Sequence, residues 1–503
     1  MTEWAKFKSG TDIRGTACEG VEGQHIDLTD EVVTTMAKAF AAWLRDALGE
    51  EKLTVSVGHD SRISAERLKK CVIEGLRGSG IAVVDCGLCS TPAMFMTTQV
   101  PETNCDGAIQ LTASHHPFNK NGLKFFTKKG GLEGADISDI LRRCEEGNLP
   151  SRSGFSIRSV NFLDIYSRIL VGQVEKACGR KNPLSGFRIV VDAGNGAGGF
   201  YVEKVLKPLG ADTTGSQFLE PDGRFPNHIP NPENRDAMKA ICSAVLKNKA
   251  DFGIIFDTDV DRAGAVGRDG AEINRNRLIA LISAILLEER PGCTIVTDSV
   301  TSDGLAAFLA ERGGVHHRFK RGYRNVINEG MRLNAEGIDC PLAIETSGHA
   351  ALRENYFLDD GAYLVTRLLI KMAKLREEGK DLEDLVSGLR VPIEEAEIRM
   401  GFLTADFKAY GARVLGELEK ACRSAEGFRV AEDNREGVRV NLGAGKGNGW
   451  FLLRMSLHDP IMPLNIESEE KGGAKVIARE LYELLKGYEG LNLDNLKNYI
   501  EEK

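Results

Sequence analysis

Three apolar runs punctuate the first two thirds of the chain, and each ends in an aspartate followed by a turn. They cover residues 53–60, 187–192 and 293–298. Short apolar runs bounded by turn residues are typical of buried strands. The segments that follow have helical apolar spacing, as at Leu305, Phe308 and Leu309. The pattern therefore predicts a strand and then a helix at three places.

A second strand-like run follows each helix, at residues 81–85, 211–215 and 315–319. A third run then leads into a polar loop, and the three loops cover residues 112–117, 257–262 and 345–349. Strands that alternate with helices favour mainly parallel sheets. Ligands of such sheets gather beyond the carboxyl ends of the strands. The three loops are therefore predicted to face one cleft between domains.

The pattern changes from about residue 391. Residues 405–421 and 474–485 have helical spacing, whereas 438–442, 449–454 and 462–467 have the pattern of strands. A chain of 503 residues is too long for one hydrophobic core. We predict an α/β protein of four domains around a central cleft. Three related αβ domains with mixed, mostly parallel sheets cover residues 1–160, 161–275 and 276–390, and an α+β domain covers 391–503.

Composition narrows the class of protein. The net charge is −8, from 65 basic and 73 acidic residues, which argues against a nucleic-acid-binding surface. The N-terminus has no signal-peptide pattern, and no apolar run is long enough for a membrane span. Eleven scattered cysteines are typical of reduced thiols, so we expect a cytoplasmic protein. The pair Cys86 and Cys89 is interpreted as two packed thiols, because no second pair stands at zinc-ligand spacing.

The first loop offers a nucleophile. Ser114 follows the apolar run 108–111, and His115 or Lys124 is a candidate base for it. A serine beside a histidine is by itself weak evidence, because most such pairs are surface polar residues. The chain has no Gly-x-Ser-x-Gly elbow and no phosphate loop of the Gly-x-x-x-x-Gly-Lys-Ser/Thr type. Neither acyl hydrolysis nor a nucleotide phosphate donor is therefore indicated.

The second loop offers a metal site. Asp257, Asp259 and Asp261 alternate directly after the apolar run 252–256. Three carboxylates so close together ionise comfortably only beside a cation, and their oxygens suit Mg²⁺. The alternative is a solvated acidic turn in which Asp259 caps a helix. Arg262 is a candidate contact for a phosphate oxygen near the metal.

The third loop and the C-terminal region offer groups for a sugar phosphate. Glu345, Ser347 and His349 are suited to vicinal hydroxyls, although a strand-end turn explains them equally well. Other candidates could hold phosphate, or are ordinary polar loop residues. These candidates are Arg454, Ser456 and His458 in one loop, Lys320, Arg321 and Arg324 in another, and Arg14 near the N-terminus.

Together these motifs resemble those of the α-D-phosphohexomutase family, which includes phosphoglucomutases, phosphomannomutases and phosphoglucosamine mutases. The loop 112–117 is similar to the family's phosphoserine loop, 257–262 to its metal loop and 345–349 to its sugar loop. Residues 191–198 and 221–226 match further family signatures. The resemblance runs over nearly the whole chain and keeps the family's order of loops.

The resemblance implies a mechanism. Ser114 would be phosphorylated in the resting enzyme, and Mg²⁺ would be held by Asp257, Asp259, Asp261 and the phosphoserine. The phosphoryl group would pass to a sugar monophosphate, and the bisphosphate would turn over before its other phosphate returns to Ser114. A sugar 1,6-bisphosphate would act as activator. The residues implied to help are Arg14, Lys124, His349 and His115 in acid–base and charge roles, Glu345 and Ser347 on hydroxyls, and Arg454 and Ser456 on the other phosphate.

Three departures from the family pattern concern the loops. Thr258 and Val260 replace the glycines of the metal loop, and His116 stands where asparagine is usual. In the last loop His458 stands in place of a threonine, which leaves the sugar open. We expect a small-molecule sugar phosphate as partner and a monomer or homodimer. The alternatives are a sugar bisphosphate synthase or phosphatase on the same scaffold, and a non-catalytic sugar-phosphate-binding protein.

Overall fold

The structure is a computed structural model that describes residues 2–152, 156–456 and 459–502. It contains two compact units. The first unit comprises residues 1–282 and 347–385, and the second comprises residues 283–346 and 386–503. Within the described part of the chain, no helix is long and apolar enough to cross a membrane.

The N-terminal αβ segment is built on an eight-stranded sheet with the order β1-β2-β6-β5-β3-β4-β8, and β7 pairs with β6. β3, β4, β5 and β8 are mutually parallel, whereas β6 runs antiparallel to β5 and β2. The strands are β1 (Lys8–Ser9), β2 (Asp12–Thr16), β3 (Thr54–His59), β4 (Ala82–Leu88), β5 (Gly107–Leu111), β6 (Lys120–Thr127), β7 (Gly130–Gly131) and β8 (Ile157–Ser159). The helices are α1 (Asp30–Leu48), α2 (Ala65–Gly78), α3 (Thr91–Met96) and α4 (Gly134–Glu146).

The second αβ segment has a four-stranded sheet with the order β12-β11-β10-β9. Its strands are β9 (Ile189–Asp192), β10 (Phe252–Phe256), β11 (Ala263–Gly267) and β12 (Glu272–Ile273), and its helices are α5 (Phe162–Cys178), α6 (Arg235–Asn248) and α7 (Arg275–Glu289). β9 and β10 are parallel, and β10 and β11 form a hairpin around the loop 257–262.

The strand predicted at residues 211–215 is not formed, and that prediction was wrong. Only an isolated bridge joins Asp212 to Arg188. The side chain of Asp212 accepts a hydrogen bond from the backbone N–H of Thr214, and Gly215 has a φ of +99°. This local turn takes up backbone groups that a strand would have paired across the sheet.

The third αβ segment contains β13 (Thr294–Thr297), β14 (Val315–Arg318), β15 (Leu342–Ile344), β16 (Ala350–Leu352) and β17 (Leu358–Asp359), with α8 (Asp303–Glu311), α9 (Tyr323–Ala335) and α10 (Gly361–Glu377). In the second unit β13 pairs with β14 and β15 in parallel, and in the first unit β16 and β17 form an antiparallel hairpin. The three αβ segments thus have the mixed sheets predicted from the sequence.

The C-terminal segment is an antiparallel sheet with the order β18-β22-β21-β20-β19, packed with helices. The strands are β18 (Glu394–Gly401), β19 (Phe428–Val430), β20 (Val438–Leu442), β21 (Gly449–Leu453) and β22 (Ile461–Ser468), and the helices are α11 (Phe407–Ser424), α12 (Gly473–Leu485) and α13 (Asp494–Glu501). This agrees with the predicted α+β domain. The pattern analysis did not place β18, because this edge strand carries exposed charged residues between its few buried ones.

The aspartates predicted at the strand ends hold the loops that follow. Asp60 accepts a hydrogen bond from the hydroxyl of Thr112 at 2.6 Å, and Asp298 accepts one from the hydroxyl of Thr346 at 2.7 Å. Asp192 instead accepts hydrogen bonds from Gln217 and His228. The repeated aspartate therefore tethers a neighbouring loop to the carboxyl end of each sheet.

We predict a pH-dependent contribution to stability from His228. Burial opposes the charged ring, but the hydrogen bond and the charge of Asp192 outweigh it and raise the pKa of His228. A histidine whose pKa is raised by folding stabilises the fold fully below its unfolded pKa of about 6.5. That stabilisation is lost as pH rises through the folded pKa.

The measurement is the thermal midpoint of the wild type and of His228→Gln at pH 6 and pH 9. We expect the variant to be less stable at pH 6, by about 1–3 kcal/mol, and closer to the wild type at pH 9. The exposed His25 provides the control His25→Gln. An equal loss at both pH values would show that charge on His228 contributes nothing.

Candidate active site

Ser114 lies in a strained turn just beyond β5. Its φ is +50°, which is uncommon for a residue with a side chain, and it is 5% exposed. Its backbone N–H donates to the hydroxyl of Thr112, which in turn donates to Asp60. Strain of this kind persists only where the surroundings determine the backbone conformation.

A buried arginine, Arg62, holds the loop in this backbone conformation. Its guanidinium donates hydrogen bonds to four backbone carbonyls of the loop, those of Ser114, His116, Pro117 and Lys120. Asp60 balances the charge, with its Oδ2 3.4 Å from Nε of Arg62. The loop that carries the candidate nucleophile is therefore wrapped around one fully buried ion pair.

The three aspartates of the second loop converge at one buried point. One carboxylate oxygen from each of Asp257, Asp259 and Asp261 lies within 4.8 Å of the other two. Lys124 extends from β6 toward them, with Nζ 3.1 Å from Asp259 Oδ2 and 2.5 Å from Asp261 Oδ2. Thr91 donates a further hydrogen bond to Asp259 at 2.5 Å.

The electrostatics of this cluster fit a cation. Burial, followed by repulsion from Asp261 and Asp259, raises the pKa of Asp257. Burial also opposes ionisation of Asp261, but Lys124, His349 and Arg262 outweigh it and lower its pKa. Oδ1 of Asp259 and Oδ1 of Asp261 are buried without a hydrogen-bond partner. Buried oxygens in that state are ligands for a hard divalent ion, so the Asp-rich site could bind a metal.

The presence of Val260 where the family pattern has glycine has a structural consequence for the loop 257–262. Val260 adopts φ +68° although it is β-branched, and it is completely buried. A glycine would reach this conformation without strain. The chain instead adopts this conformation with a residue that disfavours it by about 1–2 kcal/mol.

Arg262 joins its own loop, residues 257–262, to the loop that carries Ser114, residues 112–117. Its Nη2 donates to Ser114 Oγ at 3.1 Å and to His115 Nδ1 at 2.8 Å. Ser114 Oγ also lies 3.1 Å from Asp257 Oδ2. A protonated Nδ1 on His115 would oppose the guanidinium, so this geometry favours the neutral ring.

Two further sequence candidates lie in the same unit. Arg14 on β2 stands opposite Gly122 of β6, on the face that also carries Lys124, and it pairs with Asp12 at 3.0 Å. His349 is joined to Arg262 by a backbone bridge, and its Nδ1 lies 3.9 Å from Asp261 Oδ1. Ser347 is buried near the start of this stretch.

The remaining candidates belong to the second unit. Glu345 accepts a hydrogen bond from the backbone N–H of Gly322 at 2.6 Å, which ties the sugar loop to the start of α9. Lys320 is exposed, and Arg321 is partly buried. Burial raises the pKa of Asp298 to about 7, and the negative charge of Glu345 contributes to this increase. Two carboxyl groups and Arg321 therefore form one cluster beneath the loop.

Arg454 is nearly buried at the end of β21. Burial lowers its pKa, and the nearby guanidinium of Arg321 lowers it further although Glu436 opposes this. Ser456 accepts a hydrogen bond from the backbone N–H of Asp459. His458 lies outside the described residues. Arg321 and Arg454 are thus close enough in the second unit for the charge of one to affect the pKa of the other.

Models of one known protein family match most of the chain. Models of the phosphoglucomutase/phosphomannomutase α/β/α domains I, II and III match residues 8–148, 166–270 and 274–391. The chain belongs to the phosphoglucomutase/phosphomannomutase family. The predicted resemblance to α-D-phosphohexomutases is therefore confirmed, and the protein is a phosphohexomutase, an isomerase of the phosphotransferase type.

Individual relatives agree. A phosphomannomutase/phosphoglucomutase of Pseudomonas syringae pv. tomato is 32% identical over 88% of this chain and 90% of its own. A phosphoglucomutase of Neisseria gonorrhoeae is 28% identical over 90% of this chain and 92% of its own. The crystal structure of a phosphoglucomutase/phosphomannomutase family protein from Burkholderia thailandensis has a TM-score of 0.80 and 27% identity, covering 97% and 98% of the two chains.

Sequence reasoning missed several residues that contact the candidate residues. In the first unit these are Arg62, Thr91 and Asp359, and in the second unit Glu436 accepts a hydrogen bond from the backbone N–H of Arg321. Arg62 stands two residues after Asp60, a strand-end aspartate that the apolar pattern did identify. That position was the available signal, because loops at the carboxyl ends of strands carry the site.

We predict that Arg62→Met destabilises the protein and abolishes turnover. The change leaves four carbonyls and the Asp60 carboxylate without their buried partner, a loss of about 3–5 kcal/mol. The check is the urea midpoint, followed by circular dichroism, together with sugar phosphate isomerisation. The surface variant Arg142→Met is the control and should leave both unchanged. Wild-type stability of Arg62→Met would refute the role of Arg62 in holding the loop that carries Ser114.

Proposed function

We propose that this phosphohexomutase interconverts a hexose 1-phosphate and its 6-phosphate through phosphorylated Ser114 and a bisphosphate intermediate. The observation that carries the proposal is the position of Ser114 Oγ, 3.1 Å from both Asp257 Oδ2 and Arg262 Nη2. A nucleophile beside an acidic metal-type cluster and a buried guanidinium is equipped for phosphoryl transfer.

The metal we propose is Mg²⁺, held by Asp257, Asp259, Asp261 and the phosphate on Ser114. When bound, such an ion neutralises charge on the phosphoryl group. Lys124 pairs with two of these carboxylates and supplies positive charge beside them. Arg262 is placed to hold a phosphoryl oxygen in a charge-assisted hydrogen bond.

In the first half-reaction the bond between Ser114 Oγ and phosphorus breaks as a bond from phosphorus to a sugar hydroxyl oxygen forms, and Oγ takes up a proton as it leaves. The hydroxyl proton passes to a base, and we assign acid–base and charge roles to Lys124, His349 and Arg14. His115 is less suited to the role of base, since its Nδ1 already accepts from Arg262. Reversal of the same step returns the other phosphate to Ser114.

The sugar and the phosphate that is not transferred require separate contacts. We propose Glu345 and Ser347 for the hydroxyls. For the phosphate we propose Arg321, Lys320, Arg454, Ser456 and His458. The domain boundaries 1–160, 161–275, 276–390 and 391–503, a sugar 1,6-bisphosphate activator, and a monomer or homodimer in the cytoplasm complete the proposal. The eleven free thiols suit a reducing compartment.

The first test is phosphate on Ser114. We expect intact-mass and phosphopeptide analysis to find one phosphate there, either as purified or after incubation with glucose 1,6-bisphosphate. Ser114→Ala should lower turnover by at least about 1,000-fold, whereas Ser138→Ala on the surface should match the wild type. Product analysis from glucose and mannose 1-phosphates should show the isomer. Accumulation of bisphosphate or free phosphate instead would favour a synthase or phosphatase.

The second test concerns the metal. We expect EDTA to stop turnover, and Mg²⁺ to restore it and to raise the thermal midpoint. The stabilisation is about 2.7 kcal/mol at 100 times the dissociation constant. Asp259→Asn should remove this shift, whereas Asp269→Asn, in the exposed turn of the next hairpin, should retain it. An equal Mg²⁺ response in both variants would place the ion elsewhere.

A further inference from the structure

His349 is held firmly against the metal loop. Gly348 has a φ of +94°, and a side chain there would come within 2.8 Å of the carbonyl of Ala263. This close approach aligns His349 with Arg262 through a backbone bridge. The imidazole is 15% exposed. The position of His349 is therefore set by backbone packing, but backbone packing alone does not determine the tautomer of the ring.

The carboxylate of Asp359, on the next hairpin, contacts the ring of His349 directly. Oδ2 of Asp359 lies 3.0 Å from Nδ1 of His349, a normal hydrogen-bond distance. Oδ1 of Asp261 lies 3.9 Å from the same nitrogen, too far for a hydrogen bond. Asp359 is 7% exposed, on the strand β17 that pairs with β16 directly after His349.

The neighbour of Asp359 anchors it from behind. Asp360 is fully buried and accepts hydrogen bonds from the hydroxyl of Tyr166 at 2.6 Å and 2.7 Å. It also accepts from Asn355 Nδ2 and caps α10 through the N–H of Tyr363. Asp360 follows the last residue of β17 directly and is the N-cap of α10. One aspartate therefore fastens the strand to the core, while the other is presented to His349.

A carboxylate that accepts from Nδ1 determines which nitrogen carries the proton. In the neutral ring Nδ1–H is retained, and Nε2 is left as the nitrogen that can take and return a proton. The carboxylate also prevents rotation of the ring. Without this partner, the neutral imidazole would be distributed between two tautomers, and only one of them has a basic Nε2.

We propose that Asp359 is a positioning residue that acts through His349, keeping the proton on Nδ1 so that Nε2 serves as the acid–base atom toward the sugar hydroxyl. The inference rests on the proposed role of His349 in phosphoryl transfer. Asp359 itself touches no reacting atom. Its effect should therefore appear in kcat, and should vanish when the imidazole is absent.

The test is a double-mutant cycle on the Mg²⁺-loaded, phosphorylated enzyme with glucose 1-phosphate. We expect Asp359→Ala and His349→Asn each to lower kcat by about 10- to 100-fold, with KM changed less than about threefold. The double variant should be no slower than His349→Asn. Asp359→Asn, whose amide oxygen can still accept from Nδ1, should recover part of the loss. Asp339→Asn, on the surface of the second unit, is the control.

The outcomes separate the two proposals. If His349→Asn keeps the wild-type kcat, the assigned role of His349 fails. If His349→Asn is impaired while Asp359→Ala is not, or if their losses multiply in the double variant, the role of Asp359 fails and that of His349 stands. Each variant is first checked for the wild-type thermal midpoint and Ser114 phosphate content. For a variant that unfolds, Asp359→Asn supplies the comparison.

Ring nitrogen NMR gives a readout that a purely structural role would not move. With ¹⁵N-labelled histidine at pH 8, the signal that disappears in His349→Asn identifies this ring. We expect the Nδ1–H tautomer in the wild type and a shift toward Nε2–H in Asp359→Ala. An unchanged tautomer would overturn the inference even if activity fell.

Discussion

The buried pair of Arg62 and Asp60 is the contact on which the site depends. An arginine removed from water is tolerated only when its charge is balanced and its donors are satisfied. Here one carboxylate supplies the balance, and four loop carbonyls accept from the guanidinium. The strained conformation of Ser114 follows from this arrangement, because the carbonyls can all reach Arg62 only if the loop closes around it.

The charged side chains next to Ser114 also depend on a small number of buried partners. Three buried carboxylates face Lys124 and Arg262, and burial together with repulsion from the other two raises the pKa of Asp257. Two carboxylate oxygens have no hydrogen bond. A site in this condition attracts a cation, and it also restrains Arg262 in an orientation that reaches Ser114. Ser114, the three aspartates and Arg262 therefore depend on one another for their geometry.

Sequence reasoning could predict the elements that depend on local pattern. The strand-end loops with Ser114, Asp257 and Glu345, the mixed αβ segments and the α+β tail were all visible as apolar runs interrupted by polar turns. The partners were not visible. Arg62 acts on a loop 52 residues away, and Lys124 on acids 135 and 137 residues away. No periodicity links such positions, since only the completed sheet brings them together.

The left-handed backbone of Val260 has a consequence for the order of events in binding. A flexible, glycine-containing loop becomes ordered when an ion arrives, and the lost freedom weakens the observed affinity. A β-branched residue has fewer conformations to lose. In this chain the left-handed conformation of Val260 lies between the two paired strands of the β10–β11 hairpin. The backbone that carries the three aspartates therefore has little freedom left to lose, which limits the entropic cost of binding a cation there.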